Sequence, residues 1–214
     1  MVMLPKVNTK RFAAWYADYC VRKDAPTWAE MSRALRRDSD DLRGLCAIDM
    51  PFYQLWTKEA LDVLAAWVRR QGFQRIVEVG AGDGCLTKWL APRCPGVQLW
   101  ATDDGSWRLS GVVLRADARE APREYAADAV LSSWMPYRID WTAAWREIET
   151  VRGYLLIGEG EAGCVGAEQS WAEHAGWESY DLLEFADTTL CRTDVYLEED
   201  DWLTHSVARG WVRC

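Results

Sequence analysis

Glu78-Val79-Gly80-Ala81-Gly82-Asp83-Gly84 is the stretch on which the fold turns. The apolar run Ile76-Val77-Glu78-Val79 leads into it as a strand, and Leu86 to Ala91 follows with the spacing of a helix. Glycines between a strand and a helix allow a tight turn and let a ligand approach without meeting a Cβ. The free N–H groups at the start of the following helix favour an anionic or carboxylate group.

Outward from this turn, short apolar runs alternate with helical patterns. Val97 to Ala101, Gly111 to Leu114, Ala129 to Leu131 and Tyr154 to Ile157 are predicted strands, with a helix from Trp141 to Val151 before the last of them. Continuous apolar strands joined by helical crossovers predict an α/β fold with a Rossmann-like, mostly parallel sheet covered on both faces. The C-terminal runs Ser179 to Leu183, Thr189 to Leu197 and Thr204 to Val212 read as strands without intervening helices, an antiparallel edge. Before the sheet the chain is helical. Lys10 to Val21 carries Phe12, Trp15, Tyr16 and Tyr19 at helical spacing, and Thr27-Trp28-Ala29-Glu30 is a capping box for a helix to about Arg37. A charged stretch (Arg36 to Arg43) and a loop (Met50 to Trp56) lead to Thr57, the N-cap of a helix through Arg70 with Leu61, Leu64, Ala65 and Val68 on one stripe. Residues 1–56 are therefore expected as a helical cap on a single domain of 57–214.

Half of the 214 residues are apolar, enough for a substantial core. With 25 Lys plus Arg against 33 Asp plus Glu, the net charge is −8, which argues against sequence-independent nucleic-acid binding. A small, neutral or cationic ligand suits that balance better. No apolar run approaches the roughly 20 residues of a membrane span, and the N-terminus has no signal-peptide pattern, so the expectation is a cytoplasmic chain. The seven cysteines are scattered without a C-x-x-C pair and only His174 and His205 accompany them, so buried reduced thiols are expected rather than zinc. The oligomeric state is left open.

Two cofactor classes use a turn of this kind. The dinucleotide fingerprint G-x-G-x-x-G would place its third glycine at residue 85, where the chain has Cys85. The spacing E-x-G-x-G-x-G instead resembles motif I of class I S-adenosylmethionine (SAM) dependent methyltransferases. The resemblance implies cofactor contacts from Glu78, Gly80, Ala81, Gly82 and Gly84. It implies a ribose carboxylate at Asp103, or at its neighbour Asp104, and an adenine contact from Asp117 with Ala118 beside it. Tyr53, in the segment that folds over the cofactor in the resembled enzymes, offers a π face suited to a sulfonium cation. A nicotinamide dinucleotide remains the alternative.

Ligands sit outside the carboxyl ends of strands in open α/β sheets, so the loop after the fourth strand, Ser132-Ser133-Trp134-Met135-Pro136-Tyr137, faces the reaction. It is loosely similar to the (D/N/S)-P-P-(Y/F/W) motif of amino-group methyltransferases but has one proline. Ser133 and Trp134 are pocket candidates, and Ser133, Tyr137 and Glu159, the last at the end of the fifth strand, are the catalytic candidates. The segments Ser133 to Pro136, Asp140 to Thr142, Leu156 to Gly160 and Leu190 to Asp194 resemble a family of small methyltransferase-like proteins. Size and helical cap are also similar to enzymes that esterify the C-terminal carboxylate of ribosomally made peptides. That likeness implies O-methylation of a carboxylate held by Arg138, Arg192 or His205. N-methylation of an amine and a non-catalytic SAM-binding module are the competing readings.

Overall fold

The structure, a computed structural model, describes residues 9–36, 52–106, 112–159, 165–197 and 201–214. Helix α1 (Thr9–Val21) places Phe12, Tyr16 and Tyr19 on a buried stripe, and α2 (Trp28–Arg36) follows. The capping box is formed: the Glu30 N–H donates to the Thr27 hydroxyl at 3.2 Å and the Thr27 N–H to the Glu30 carboxylate at 2.8 Å. The charged stretch beyond Arg36, with Met50 and Pro51, lies outside the described residues. The expected loop before Trp56 contains a two-residue strand, β1 (Gln54–Leu55). Thr57 then caps α3 (Lys58–Gln71) by accepting from the Ala60 N–H at 3.1 Å.

The alternating region runs β2 (Arg75–Val79), α4 (Cys85–Leu90), β3 (Gln98–Asp103), β4 (Leu114–Arg115), α5 (Ala121–Glu124), β5 (Ala129–Ser133), α6 (Thr142–Arg146) and β6 (Gly153–Glu159). It ends with α7 (Glu168–Trp171), β7 (Trp177–Asp181), α8 (Leu183–Ala186), β8 (Leu190–Cys191), β9 (Val195–Leu197), β10 (Asp201–Leu203) and β11 (Ser206–Arg213). Seven strands form one sheet in the order β4-β3-β2-β5-β6-β11-β7. The first five are parallel, and β11 runs antiparallel between β6 and β7. This is a Rossmann-like sheet, mostly parallel, with only β11 reversed, while β8 pairs with β1 and β9 with β10 in two separate two-stranded sheets.

Side chains alternate across the sheet as the period of two requires. Ile76, Ala129, Leu131, Leu155 and Ile157 pack on one face with Phe12, Tyr16, Met31, Leu61 and Leu64. Val77, Val79, Val130, Tyr154 and Leu156 pack on the other with Trp145 and Trp171. The two N-terminal helices thus share one apolar cluster with α3 and that face of the sheet.

Several elements differ from expectation, among them the strand expected over Gly111 to Leu114, which among the described residues pairs only over Leu114–Arg115. The helix from Trp141 ends at Arg146, and the chain continues as single turns (Ile148 N–H on the Trp145 carbonyl, Val151 N–H on the Ile148 carbonyl). These turns keep Ile148 and Val151 buried while the Arg152 N–H reaches the Asp128 carbonyl at the entry to β6. A short helix, α8, separates β7 from β8 where none was expected. The strand expected over Thr189 to Leu197 is broken in two, because the buried Asp194 carboxylate draws the chain into a turn by accepting from the Cys191 and His205 N–H groups, each at 2.7 Å.

Candidate active site

The chain passes from β2 to β3 on one side and returns from β4 to β5 on the other, so a crevice opens at the carboxyl ends of β2 and β5. A cavity of about 1120 Å³ lies there. Its floor is the glycine turn, one wall is the segment Phe52 to Trp56, another is Ser133 to Tyr137, and Tyr16 and Cys20 of α1 close it from above.

Gly80, Gly82 and Gly84 all take positive φ, at 65°, 55° and 73°. A Cβ on Gly82 would meet nothing within 4 Å, since that face of the turn opens onto the cavity, whereas one on Gly80 would come to 3.3 Å from the Trp141 ring. The turn is braced from two sides. The Ala81 N–H donates to the Thr102 carbonyl at 3.0 Å, and the Gly82 N–H to Asp103 Oδ2 at 3.1 Å. Asp103 Oδ1 accepts from the Gly105 N–H at 2.9 Å, which fixes this 7% exposed carboxylate at the cavity wall. Asp104 points to solvent and accepts from the Ser106 N–H at 2.7 Å, away from the cavity.

Glu78 is buried beneath the turn and receives the Thr87 N–H at 3.0 Å. Burial pushes its carboxyl up to about 8, with the Asp83 and Asp103 carboxylates adding repulsion against the Thr87 donor. Asp83 and Asp103 make the turn end of the cavity acidic, above a Glu78 carboxyl that burial holds protonated up to about pH 8.

The opposite wall is aromatic. Trp134 sits at the end of β5 with φ 60°, a left-handed conformation that costs a non-glycine residue about 1–3 kcal/mol. Its N–H bonds the Ile157 carbonyl at 2.8 Å and its indole N–H donates to Gln54 Oε1 at 2.9 Å. Gln54 is the hub of this wall: Oε1 also accepts from Ser206 Oγ, and Nε2 donates to Thr189 Oγ1 and the Leu190 carbonyl. Tyr53 lies against Trp134 with ring centroids 5.5 Å apart, and Arg192 stands over the Tyr53 ring at 5.8 Å while its N–H holds the Tyr53 carbonyl. Arg192 is the one cation among the described residues lining the cavity.

Of the residues anticipated from sequence, Tyr53, Glu78, Gly80, Ala81, Gly82, Asp103, Ser133, Trp134 and Tyr137 line this one cavity. Gly84 lies just behind, as the left-handed residue opening α4. Asp117 is exposed and accepts from the Arg119 N–H at 2.8 Å, and the Ala118 carbonyl accepts the Trp145 indole N–H. Neither lines the cavity, and neither does Glu159 at the end of β6. Arg138 stacks on the Tyr137 ring at 5.0 Å, and the His205 ring faces Asp194 at 3.3 Å. Sequence reasoning did not single out Gln54, Asp83 or Thr193 as wall residues. Tyr16 it read only as part of a helical stripe, although its hydroxyl donates to Asp83 Oδ2 at 3.1 Å.

No family model and no curated protein matches the chain. Among solved structures it is similar to the methyltransferase domain of bacterial CtHen1, at 11% identity over 72% of this chain and 97% of that one, with a TM-score of 0.48. It is similar to cofactor-bound Rv0187 from MTB at 17% identity over 74% and 81%, with a TM-score of 0.42. A third is the N-terminal domain of EvdMO1 with S-adenosylhomocysteine (SAH) bound, at 18% identity over 74% and 68%, with a TM-score of 0.35. At such identities the functional reading rests on this chain's own side chains. Among the described residues no helix is long and apolar enough to cross a membrane.

Proposed function

We propose that the chain is a SAM-dependent methyltransferase whose acceptor carries a carboxylate, on a small molecule or a peptide. The observation that carries this reading is the polarity of the cavity, with Asp83 and Asp103 at the glycine turn, Glu78 buried beneath them in protonated form, and one guanidinium at the aromatic mouth. A cofactor bearing an ammonium and a sulfonium suits the first end, and an anionic acceptor suits the second. The residues fit the cofactor: bare main chain at Gly82 leaves room for it, and Asp103 stands at the end of β3 with lone pairs to spare for a ribose. Asp103 is favoured over Asp104 for that role, because only Asp103 lines the cavity.

SAM, when bound, supplies an activated methyl group with a neutral thioether as its leaving group. The protein's part is then alignment and exclusion of water. Tyr53, Trp134, Tyr137 and Trp141 wall the cavity with apolar surface and offer π faces to a cation. Arg192 would hold the acceptor carboxylate. An ionised carboxylate oxygen takes the methyl without giving up a proton, so this reading requires no general base. An amine acceptor would require one, and of the candidates named from the sequence Tyr137 lines the cavity while Glu159 does not.

The test is calorimetric titration of the protein with SAM, SAH and NAD separately, followed by mass spectrometry of acids, amines and peptides incubated with protein and SAM. Binding of SAM and SAH with a methyl added to a carboxylate is the expected result. NAD binding in preference to SAM would overturn the cofactor. Methylation confined to amines would overturn the acceptor, and SAM binding without turnover on any acceptor would leave a binding module.

A further inference from the structure

Cys20 stands near the end of α1 and Cys85 opens α4, yet their sulfurs and a carboxylate oxygen of Asp83 all lie within 4.8 Å of one another. We propose that Cys20, Asp83 and Cys85 bind a thiophilic divalent cation, with Zn²⁺ as the ion whose chemistry fits, at the edge of the cavity.

Two thiolates and one carboxylate form a mixed sulfur and oxygen donor set of the kind zinc takes. Sulfur ligands about 2.3 Å from a tetrahedral ion stand roughly 3.8 Å apart, and the three ligand atoms here all lie within 4.8 Å of one another. The carboxylate is already oriented, because Asp83 Oδ1 accepts from the Cys85 N–H at 2.9 Å and Oδ2 from the Tyr16 hydroxyl at 3.1 Å. Such supporting hydrogen bonds are what fix a ligand's direction in metal sites. The charges also close. Two thiolates and a carboxylate bring three negative charges, the ion brings two positive, and Lys88 brings a third from where its Nζ donates to the Cys20 carbonyl at 2.8 Å. Each thiol would release its proton to solvent as the ion binds. Cys20 and Asp83 line the cavity, so a fourth coordination position would face it and take water.

The consequence is mechanical. The ion would tie the N-terminal cap to the glycine turn, adding to the Tyr16 and Lys88 hydrogen bonds and to the packing of Tyr19 on Trp89. The inference does not depend on the identity of the cofactor, since its ligands are named by their own geometry.

The experiment uses the whole chain, reduced and freed of metal, dialysed against Zn²⁺ without SAM and assayed with a chromophoric chelator. One retained equivalent is expected, and Co²⁺ in its place should give the thiolate-to-metal absorption of a tetrahedral sulfur site. Cys20→Ser and Cys85→Ser should bind at least about tenfold more weakly, the loss that even supporting residues of a metal site produce. Cys94→Ala and Cys214→Ser should bind as the parent does. Because Cys85 is buried, circular dichroism checks each variant's fold, and Asp83→Asn, altered at an exposed residue, should show the same weakening. No retained metal, retention unaffected by these three substitutions, or a Cys20–Cys85 disulfide found by peptide mass mapping in place of the ion would overturn the proposal. Each of these results leaves SAM binding to be judged on its own.

Discussion

Replacing Glu78 by Gln should change how stability depends on pH. The Glu78 carboxyl is buried, and burial raises it from its ordinary 4.5 to about 8. Between those values the folded chain holds a proton that the unfolded chain has released, so stability falls as pH rises through that interval. At about 1.36 kcal/mol per pH unit, the loss attributable to this one group is on the order of 5 kcal/mol, a large share of a domain's typical stability. Glutamine keeps an acceptor for the Thr87 N–H and carries no charge at any pH, so that part of the slope should vanish. The assay is urea unfolding of parent and Glu78→Gln, without ligand, at several pH values between about 5 and 8. The variant should gain on the parent steadily toward the alkaline end. A constant difference between the two would refute the reasoning, because it would mean that Glu78 ionises in the folded chain as it does in the unfolded one. A cationic ligand seated at the turn should favour the ionised carboxylate, so SAM affinity in the parent should rise with pH toward 8 and stay flat in the variant.

Gly82→Val should abolish SAM binding by calorimetry while the circular dichroism spectrum still reports a folded chain, because the new side chain enters the cavity; unchanged affinity would contradict this placement. Asp103→Ala should weaken SAM binding by about 1–3 kcal/mol and Asp104→Ala by much less, and the reverse ranking would move the ribose contact to Asp104. Arg192→Gln should raise the KM for an acidic acceptor with little change in SAM affinity; a loss confined to SAM affinity would assign the guanidinium to the cofactor's own carboxylate. Glu159→Ala should leave turnover on carboxylates intact, since the residue lies outside the cavity lining; a large fall in kcat with unchanged SAM affinity would give it a catalytic part.

The turn and the sheet were legible in the sequence because their causes are local. Ile76 to Val79 can only be a strand buried on both faces, the glycines that follow can only be a bend, and the same rhythm repeats at Ala129 and Tyr154. Thr27 with Glu30, and Thr57, announce helix starts by hydrogen bonds that span three residues. The acids at 78 and 103 follow from their register behind the bend. What the tertiary structure alone decided were contacts between residues far apart in the chain. Gln54 has no local mark of importance, yet it ties Trp134 to Ser206 and Thr189. Asp194 breaks an apolar run because a buried carboxylate must find donors, and in doing so sets Arg192 over the cavity. Cys20 and Cys85 read singly as buried thiols, and only the seating of α1 on the glycine turn brings them together with Asp83. Local hydrogen bonding and hydrophobic period are written residue by residue, whereas the walls of the cavity are set by which distant faces the packing of the core brings into contact.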